Sequence, residues 1–204
     1  MFEEVSKTIK SISVMEVSEE RKAFLNPLIA YIQEKLDEKK PVRLNFICTH
    51  NSRRSHLAQI WAQTMPFHFG IENIFCYSGG TEATALFPKV VETLVNQGFQ
   101  IMKLSEESNP VYEVKFAINE PPIRCFSKVF DDAFNPSSEF AAIMTCSSAD
   151  EGCPFIAGAE KRFPIRYDDP KAYDGTKLIN EKYAERSIEI ASEMYYVFSK
   201  IIKL

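Results

Sequence analysis

Residues 44–63, LNFICTHNSRRSHLAQIWAQ, join an apolar run to a helical pattern through a short polar loop. The run 42–48, VRLNFIC, has the length and composition of a buried strand. Leu57, Ile60 and Trp61 then recur at the spacing of one helix face. A short loop between a strand and a helix N-terminus points its N–H groups at a common centre, where the helix dipole adds positive potential. The segment therefore predicts a strand–loop–helix unit that can hold an anion at the junction.

This loop begins with a cysteine and ends with an arginine. Cys48 and Arg54 enclose five residues. The positive field of such a loop favours the thiolate form of a cysteine, and a guanidinium fork matches a tetrahedral oxyanion. Ser55 can donate to the sulfur, and Asn51 tolerates the left-handed backbone of a tight anion-binding turn. These residues favour a nucleophile facing an oxyanion over an ordinary strand–turn–helix junction.

Apolar strands and amphipathic helices alternate along most of the chain. Four strands are assigned, to residues 42–48, 73–78, 99–102 and 139–146. The alternation predicts an α/β fold, with three α/β/α layers around a mostly parallel four-stranded sheet. Sites in such sheets lie beyond the carboxyl ends of the strands. Cys48 and Cys146 both stand at such ends, so we expect them to meet.

The 204 residues are interpreted as a single domain, 1–204, with an N-terminal addition. Residues 1–40 predict a helical extension. Within it, Asn26-Pro27 is interpreted as an N-cap followed by proline at the first helical position. The remainder, 42–204, carries the alternating pattern and ends in a helix over 178–203.

An insertion near residues 109–138 interrupts the alternation. Its segments 111–118 and 123–130 lie on either side of two consecutive prolines. They predict an inserted hairpin or two edge strands. Cys125 there, like Cys76 in the second strand, is interpreted as a small buried hydrophobic residue.

Composition and charge exclude several classes of protein. The net charge of −4 argues against a general nucleic-acid binder, and no apolar run approaches the length of a membrane span. The N-terminus has no apolar core or cleavage pattern of a signal peptide, so a cytoplasmic location is expected. Five cysteines in such a compartment are not expected to form structural disulfides. Their spacing lacks a zinc pattern, and neither a metal nor a cofactor is expected.

Two stretches resemble a known family. CTHNSRRS is similar to the loop of the low-molecular-weight protein tyrosine phosphatases and of the thioredoxin-coupled arsenate reductases that share their fold, and YSGGTEATALFPKVVETLVNQGF is similar to their next block. The resemblance implies a low-molecular-weight phosphatase-like fold and an arsenate or phosphate-type substrate. It implies that the oxyanion is bound by Thr49, His50, Asn51, Ser52, Arg53, Arg54 and Ser55.

A third stretch, residues 145–176, resembles the redox segment of the arsenate reductases. Cys146 and Cys153 are separated by six residues, and Asp169 stands directly before a proline. The resemblance implies that Asp169 is the general acid. It also implies a relay in which Cys146 attacks Cys48, Cys153 resolves the disulfide, and thioredoxin or another thiol reduces the product. Thiol exchange of this kind needs in-line access between the sulfurs.

The chain departs from the family at three positions. His50 replaces the usual glycine, Arg53 replaces a frequent cysteine, and Gln59 replaces a glutamate that helps to bind potassium in the arsenate reductases. The first two changes predict a more positive loop, and the third puts the potassium site in doubt.

The leading hypothesis is therefore an arsenate reductase. The alternative is a protein tyrosine phosphatase that uses only Cys48, Arg54 and Asp169. A third hypothesis is a non-catalytic oxyanion-binding sensor, which the presence of nucleophile, arginine and acid together makes the weakest.

Overall fold

A computed structural model of the chain describes residues 1–152 and 155–203. Its main sheet has the strand order β2-β1-β6-β7, and all three neighbouring pairs are parallel. The four-stranded parallel sheet of an α/β fold is therefore confirmed. The strands of this sheet are β1 (Val42–Cys48), β2 (Ile74–Gly80), β6 (Phe140–Met144) and β7 (Ala159–Phe163).

Helices cover both faces of the main sheet. Leu44 and Phe46 of β1 belong to a large apolar cluster with residues of α2, α3 and α6, whereas Ile47 faces a smaller cluster beneath α5. Alternate residues of a strand point to opposite faces, so both faces of β1 are buried. The helices are α1 (Glu3–Ile12), α2 (Glu19–Asp37), α3 (Arg54–Phe69), α4 (Pro88–Asn96), α5 (Ser147–Gly152) and α6 (Ile179–Ser199).

One strand assignment placed the wrong segment in the main sheet. The predicted strand 99–102 is found as β3 (Gln100–Lys103), but it lies in a second, antiparallel sheet of order β3-β4-β5. The fourth strand of the main sheet is instead β7, whose sequence AEKRF is mostly charged. β7 lies at an edge, where charged side chains reach solvent, so apolar periodicity does not reveal it.

The inserted hairpin is present. Within the insertion, β4 (Tyr112–Lys115) and β5 (Ile123–Cys125) pair antiparallel, and β4 also pairs with β3. Cys125 is fully buried, and burial raises the pKa of its thiol to about 12. Cys76 is buried as well, and burial raises the pKa of its thiol well above the ordinary range. Both thiols lie within the protein core, as predicted.

The helical extension is present, but its predicted starting point is wrong. α2 begins at Glu19, and the Ser18 hydroxyl accepts a hydrogen bond from the Arg21 N–H at 3.2 Å. Pro27 lies inside α2 rather than at its first turn. Apolar packing stabilises the helix across this proline, since Leu25 and Leu28, on either side of it, are both fully buried.

The described helices include none that is long and apolar enough to cross a membrane.

Candidate active site

The loop between β1 and α3 lies at the carboxyl edge of the main sheet. The carbonyl groups of Thr49, His50 and Ser52 accept hydrogen bonds from neighbouring segments. The Thr49 carbonyl accepts from Glu82 N at 2.8 Å, and the Ser52 carbonyl accepts from Phe87 N at 3.0 Å. The His50 carbonyl accepts from two side-chain hydroxyl groups. These bonds fix the peptide planes of the loop.

The N–H groups of the same peptides consequently point the other way. Within the described part of the chain, no hydrogen-bond acceptor is found for the backbone N–H groups of residues 49–55. A row of unsatisfied N–H groups at a helix N-terminus is an anion-binding concavity. Asn51 has the predicted left-handed backbone, with a φ of 42°. The loop therefore has the geometry of a preformed oxyanion site.

Gly80, at the end of β2, allows the loop to lie this close to the sheet. A Cβ atom at this position would lie 2.7 Å from the Thr49 carbonyl oxygen and 2.8 Å from Asn51 N. Both atoms belong to backbone that cannot move without opening the loop. A glycine is needed here because of this close approach.

Cys48 is buried at the base of the loop, beside Ser55. The Cys48 sulfur and the Ser55 hydroxyl lie 3.1 Å apart. Asn51 Nδ2 donates to the same hydroxyl at 2.8 Å, which leaves the hydroxyl proton free to point at the sulfur. Asn51 is fixed in turn, since its Oδ1 accepts from Lys128 N at 3.0 Å. This chain of hydrogen bonds suits a sulfur that carries negative charge.

Arg54 and Asp169 lie together at the opening of the loop. Arg54 Nη2 donates to Asp169 Oδ2 at 2.6 Å, and Arg54 Nη1 donates to the Tyr167 carbonyl at 2.9 Å. The other carboxylate oxygen of Asp169 accepts from Lys171 N at 3.0 Å and caps the short 3-10 helix Pro170–Tyr173. In contrast, the side chain of Asp168 is almost fully exposed. The structure therefore brings Asp169, and not its neighbour, to the loop arginine.

Cys146 follows β6 on the adjacent strand and lies beside the loop. Ile47 pairs with Met144 in the register of β1 and β6, and Thr145 N donates to the Ile47 carbonyl at 2.7 Å. The Thr49 hydroxyl contacts the Cys146 sulfur at 3.4 Å. Cys48 and Cys146 are both buried in the smaller apolar cluster. The two strand ends are therefore neighbours, and Cys146 contacts the residue after Cys48. Cys153 lies outside the described residues.

Arg53 does not add a free positive charge to the loop. Its Nη2 forms an ion pair with Asp174 at 2.6 Å, and its Nε donates to the Tyr183 hydroxyl at 2.6 Å. The guanidinium also lies 4.1 Å from the centre of the Phe87 ring. The prediction of extra charge is therefore wrong for Arg53, because Asp174 neutralises it. His50 keeps a half-exposed side chain, 3.8 Å from Glu82.

The residues around Gln59 do not fit a bound potassium ion. Gln59 Oε1 accepts from the Ser78 hydroxyl at 2.6 Å, and its Nε2 donates to the Cys76 carbonyl at 3.1 Å. The amide is thus neutral and already hydrogen-bonded at both ends. Lys128, a fully buried cation, lies close enough to help lower the pKa of His56 in the first turn of α3. A second cation in this region would be repelled.

Lys128, Tyr167 and Asp174 were missed by sequence reasoning. Each contacts the loop through a long-range hydrogen bond, and none stands in a recognisable motif. Lys128 and Tyr167 act here through backbone atoms, which any residue type supplies. No pattern of residue types in the sequence could have identified those two contacts.

His56 gives the first testable prediction. It is fully buried, and burial followed by the Lys128 charge lowers its pKa from 6.5 to about 3. The folded state keeps this imidazole neutral, whereas the unfolded state binds a proton below about pH 6.5. Stability should therefore fall as the pH drops from about 6.5 towards 3, by about 2 kcal/mol between pH 7 and pH 5.

Urea unfolding of the wild type and of His56→Gln at several pH values measures this effect. His56→Gln should lose about 2 kcal/mol less than the wild type over the same interval. His50→Gln, which removes a half-exposed imidazole, should show the same change of unfolding free energy with pH as the wild type. Equal slopes for all three proteins would contradict a neutral buried His56.

Comparison with solved structures identifies the fold. Two solved structures share the fold: a low-molecular-weight protein tyrosine phosphatase from T. tengcongensis, with a TM-score of 0.53 and 16% identity, and one from Vibrio cholerae, with 0.52 and 15%. Each match covers 78% of this chain, and 99% and 94% of the two neighbours, respectively. The architecture is thus that of the low-molecular-weight phosphatases.

The sequence comparison gives the family. An arsenate reductase from Bacillus licheniformis is 30% identical over 140 residues, which cover 68% of this chain and 80% of the relative. A protein named arsenate reductase 2 from Staphylococcus epidermidis is 30% identical over 125 residues, covering 61% and 76%. No family model matches the chain. The chain belongs to the arsenate reductase family.

Proposed function

We propose that this protein reduces arsenate to arsenite through successive attack by cysteine thiolates. The observation that carries the proposal is the second thiol beside the oxyanion loop: the Cys146 sulfur lies 3.4 Å from the hydroxyl of Thr49, the residue after Cys48. A phosphatase needs a nucleophile, an arginine and an acid, but it has no step for a second thiol. The arsenate reductases among the relatives support the same reading.

The first step is formation of a sulfur–arsenic bond. Arsenate is held by the loop N–H groups and by Arg54, whose guanidinium already lies at the loop opening. The Cys48 thiolate attacks arsenic, and one arsenate oxygen leaves as water after protonation. We assign the donation of this proton to Asp169, whose carboxyl group contacts Arg54 at the opening of the loop.

The second step transfers the electrons. The Cys146 thiolate attacks the Cys48 sulfur, a disulfide forms, and the electron pair of the sulfur–arsenic bond leaves with arsenic as arsenite. Two thiolates are thereby oxidised to one disulfide, and arsenic gains two electrons. Ala149 N donates to the Cys146 sulfur at 3.4 Å, and the sulfur lies at the N-terminal end of α5. These contacts hold the Cys146 sulfur in position beside the loop.

The third step regenerates the nucleophile. Cys153, assigned from the resemblance alone, attacks the Cys146 sulfur and releases the Cys48 thiolate. An external dithiol, thioredoxin or a similar reductant, then reduces the Cys146–Cys153 disulfide. Such a cycle suits a reducing, cytoplasmic compartment, and the four cysteines in the described residues are free thiols.

The alternative is hydrolysis of phosphotyrosine or other aryl phosphates. It is favoured by one observation, that Arg54, at the end of the loop that begins with Cys48, donates to Asp169, and that none of these contacts involves Cys146. In this reaction Asp169 would protonate the leaving phenol, and water would hydrolyse the phosphocysteine.

Side-by-side turnover separates the two functions. We expect arsenate to oxidise NADPH when thioredoxin and thioredoxin reductase are supplied, with a kcat of order 1 s⁻¹ or more. Hydrolysis of p-nitrophenyl phosphate should be much slower. Fast phosphate hydrolysis without arsenate-dependent consumption of NADPH would establish the phosphatase instead.

A further inference from the structure

An ion pair joins the N-terminal extension to the last helix of the domain. Arg21, in the first turn of α2, donates from Nε to Glu193 Oε1 at 2.6 Å and from Nη2 to Glu193 Oε2 at 2.8 Å. Glu193, on α6, is only 3% exposed. A buried carboxylate needs a counter-ion, and a bidentate guanidinium supplies one with a fixed orientation.

The same arginine also contacts the segment that leads to Asp169. Arg21 Nη1 donates to the Arg166 carbonyl at 3.2 Å, and its guanidinium lies 5.2 Å from the centre of the Tyr167 ring. The buried Tyr167 hydroxyl donates to Glu193 Oε2 at 2.7 Å. Arg21 and Glu193 therefore hold the side chain of Tyr167 from the outer side of the segment.

The inner side of this segment holds the loop arginine. Residues 164–169 form neither helix nor strand, so tertiary contacts set their position. Tyr167 N donates to the Thr145 carbonyl at 3.1 Å, and the Tyr167 carbonyl accepts from Arg54 Nη1 at 2.9 Å. Asp169, two residues later, binds the other terminal nitrogen of Arg54.

We infer that Arg21 is a positioning residue for the oxyanion site, which acts through Glu193 and Tyr167 to fix the plane of the Arg54 guanidinium. The inference rests on the proposed function in one respect, that Arg54 binds the oxyanion substrate. It gives the N-terminal extension a role in catalysis in addition to its role in the core. Arg21 itself touches neither substrate nor reacting atoms.

The competing explanation is that Arg21 only stabilises the fold. The following variants distinguish this structural role from a positioning role. Arg21→Met alone would leave a buried, unpaired carboxylate and could prevent folding. Arg21→Lys keeps the charge but loses the fork. The double variant Arg21→Met/Glu193→Gln removes both charges together. Lys35→Met is the control, because Lys35 also lies on α2 and forms an ion pair at 2.6 Å, with the exposed Glu160 of β7.

Two measurements on the full chain test the inference. The first is the phosphate concentration that halves the rate of Cys48 alkylation by iodoacetamide. The second is the separate determination of kcat and KM for arsenate. Thermal unfolding of each variant confirms that the protein measured is folded.

We expect the double variant to need roughly tenfold to hundredfold more phosphate for the same protection, since a small misplacement of a binding group has effects of this size. Arg21→Lys should show a smaller shift in the same direction, and Lys35→Met should match the wild type. KM for arsenate should rise together with the protecting concentration.

The inference would be overturned if phosphate protected Cys48 in a folded double variant as well as it does in the wild type. It would also be overturned if Lys35→Met lost as much phosphate protection as the double variant. Failure of phosphate to protect Cys48 in the wild type would overturn it too, because Arg54 would then face no oxyanion. Absence of arsenate reduction with normal phosphate protection would refute only the proposed function, and the protection assay would still decide the role of Arg21.

Discussion

Cys146→Ser should abolish the catalytic reduction of arsenate, with a fall in kcat of about three orders of magnitude or more. The variant keeps Cys48, Arg54 and Asp169, so it should still bind arsenate and form the sulfur–arsenic bond. It has no thiolate at the strand end next to the loop, so nothing displaces arsenic from Cys48. The adduct then reverts to arsenate by hydrolysis, and no arsenite is released.

A single turnover without a reductant tests the requirement for Cys146 most directly. The wild type should release about one arsenite per chain and end with a Cys146–Cys153 disulfide in a peptide map. Cys153→Ser should release the same arsenite but stop as a Cys48–Cys146 disulfide. Cys146→Ser should release none and keep all its thiols.

The matched control removes a thiol that is buried elsewhere. Cys76, in the middle of β2, has a pKa raised by burial and no place in the relay. Cys76→Ala should therefore retain the wild-type disulfide and arsenite yield. Full arsenite release by Cys146→Ser would mean that the second thiol is not Cys146, and the proposed relay would have to be abandoned.

Asp169→Asn should lower kcat for arsenate by about 10²–10⁴ while the affinity for phosphate changes little. The amide cannot give a proton to the departing oxygen. It can still accept from Lys171 N, as Asp169 Oδ1 does at 3.0 Å, so the cap of the 3-10 helix should survive. Loss of the Arg54 ion pair should, if anything, release the arginine to bind the oxyanion.

Asp168→Asn provides the control at the neighbouring position. It removes the same charge from a side chain that is almost fully exposed, 3.5 Å from Arg186. Its kcat should remain near that of the wild type. A similar loss in both variants would indicate a general effect of charge on the segment, and an unchanged kcat in Asp169→Asn would exclude the acid role.

The local sequence was sufficient to predict the oxyanion loop. The run from β1 through Cys48 to α3 is continuous, and its geometry depends on a strand end, a helix start and a residue that accepts positive φ. All three are encoded within about twenty residues. The left-handed backbone of Asn51 and the contact between Ser55 and Cys48 are accordingly found as predicted.

The pairing of strands into sheets was harder to predict. β3 was assigned to the main sheet because its apolar content resembles that of a core strand, yet its partner is β4 of the insertion. β7 was not predicted because an edge strand can carry charged residues, and the three central positions of β7 are charged. Which strands become neighbours depends on the whole set of competing partners, and the sequence of one strand does not contain that information.

The sequence by itself identified the groups on which the proposed chemistry depends: a cysteine at the start of a strand–helix loop, an arginine at its end, an aspartate before a proline, and a second cysteine after a strand. Only the tertiary structure decided which distant residues form ion pairs and hydrogen bonds with those groups. Arg53 is paired with Asp174, and Arg54 donates to the carbonyl of Tyr167. Arg21, which stands 33 residues before Arg54, donates to the neighbouring carbonyl of Arg166. The physical reason is that local geometry follows short-range backbone preferences, whereas ion pairs and backbone contacts between distant segments exist only after the chain has packed.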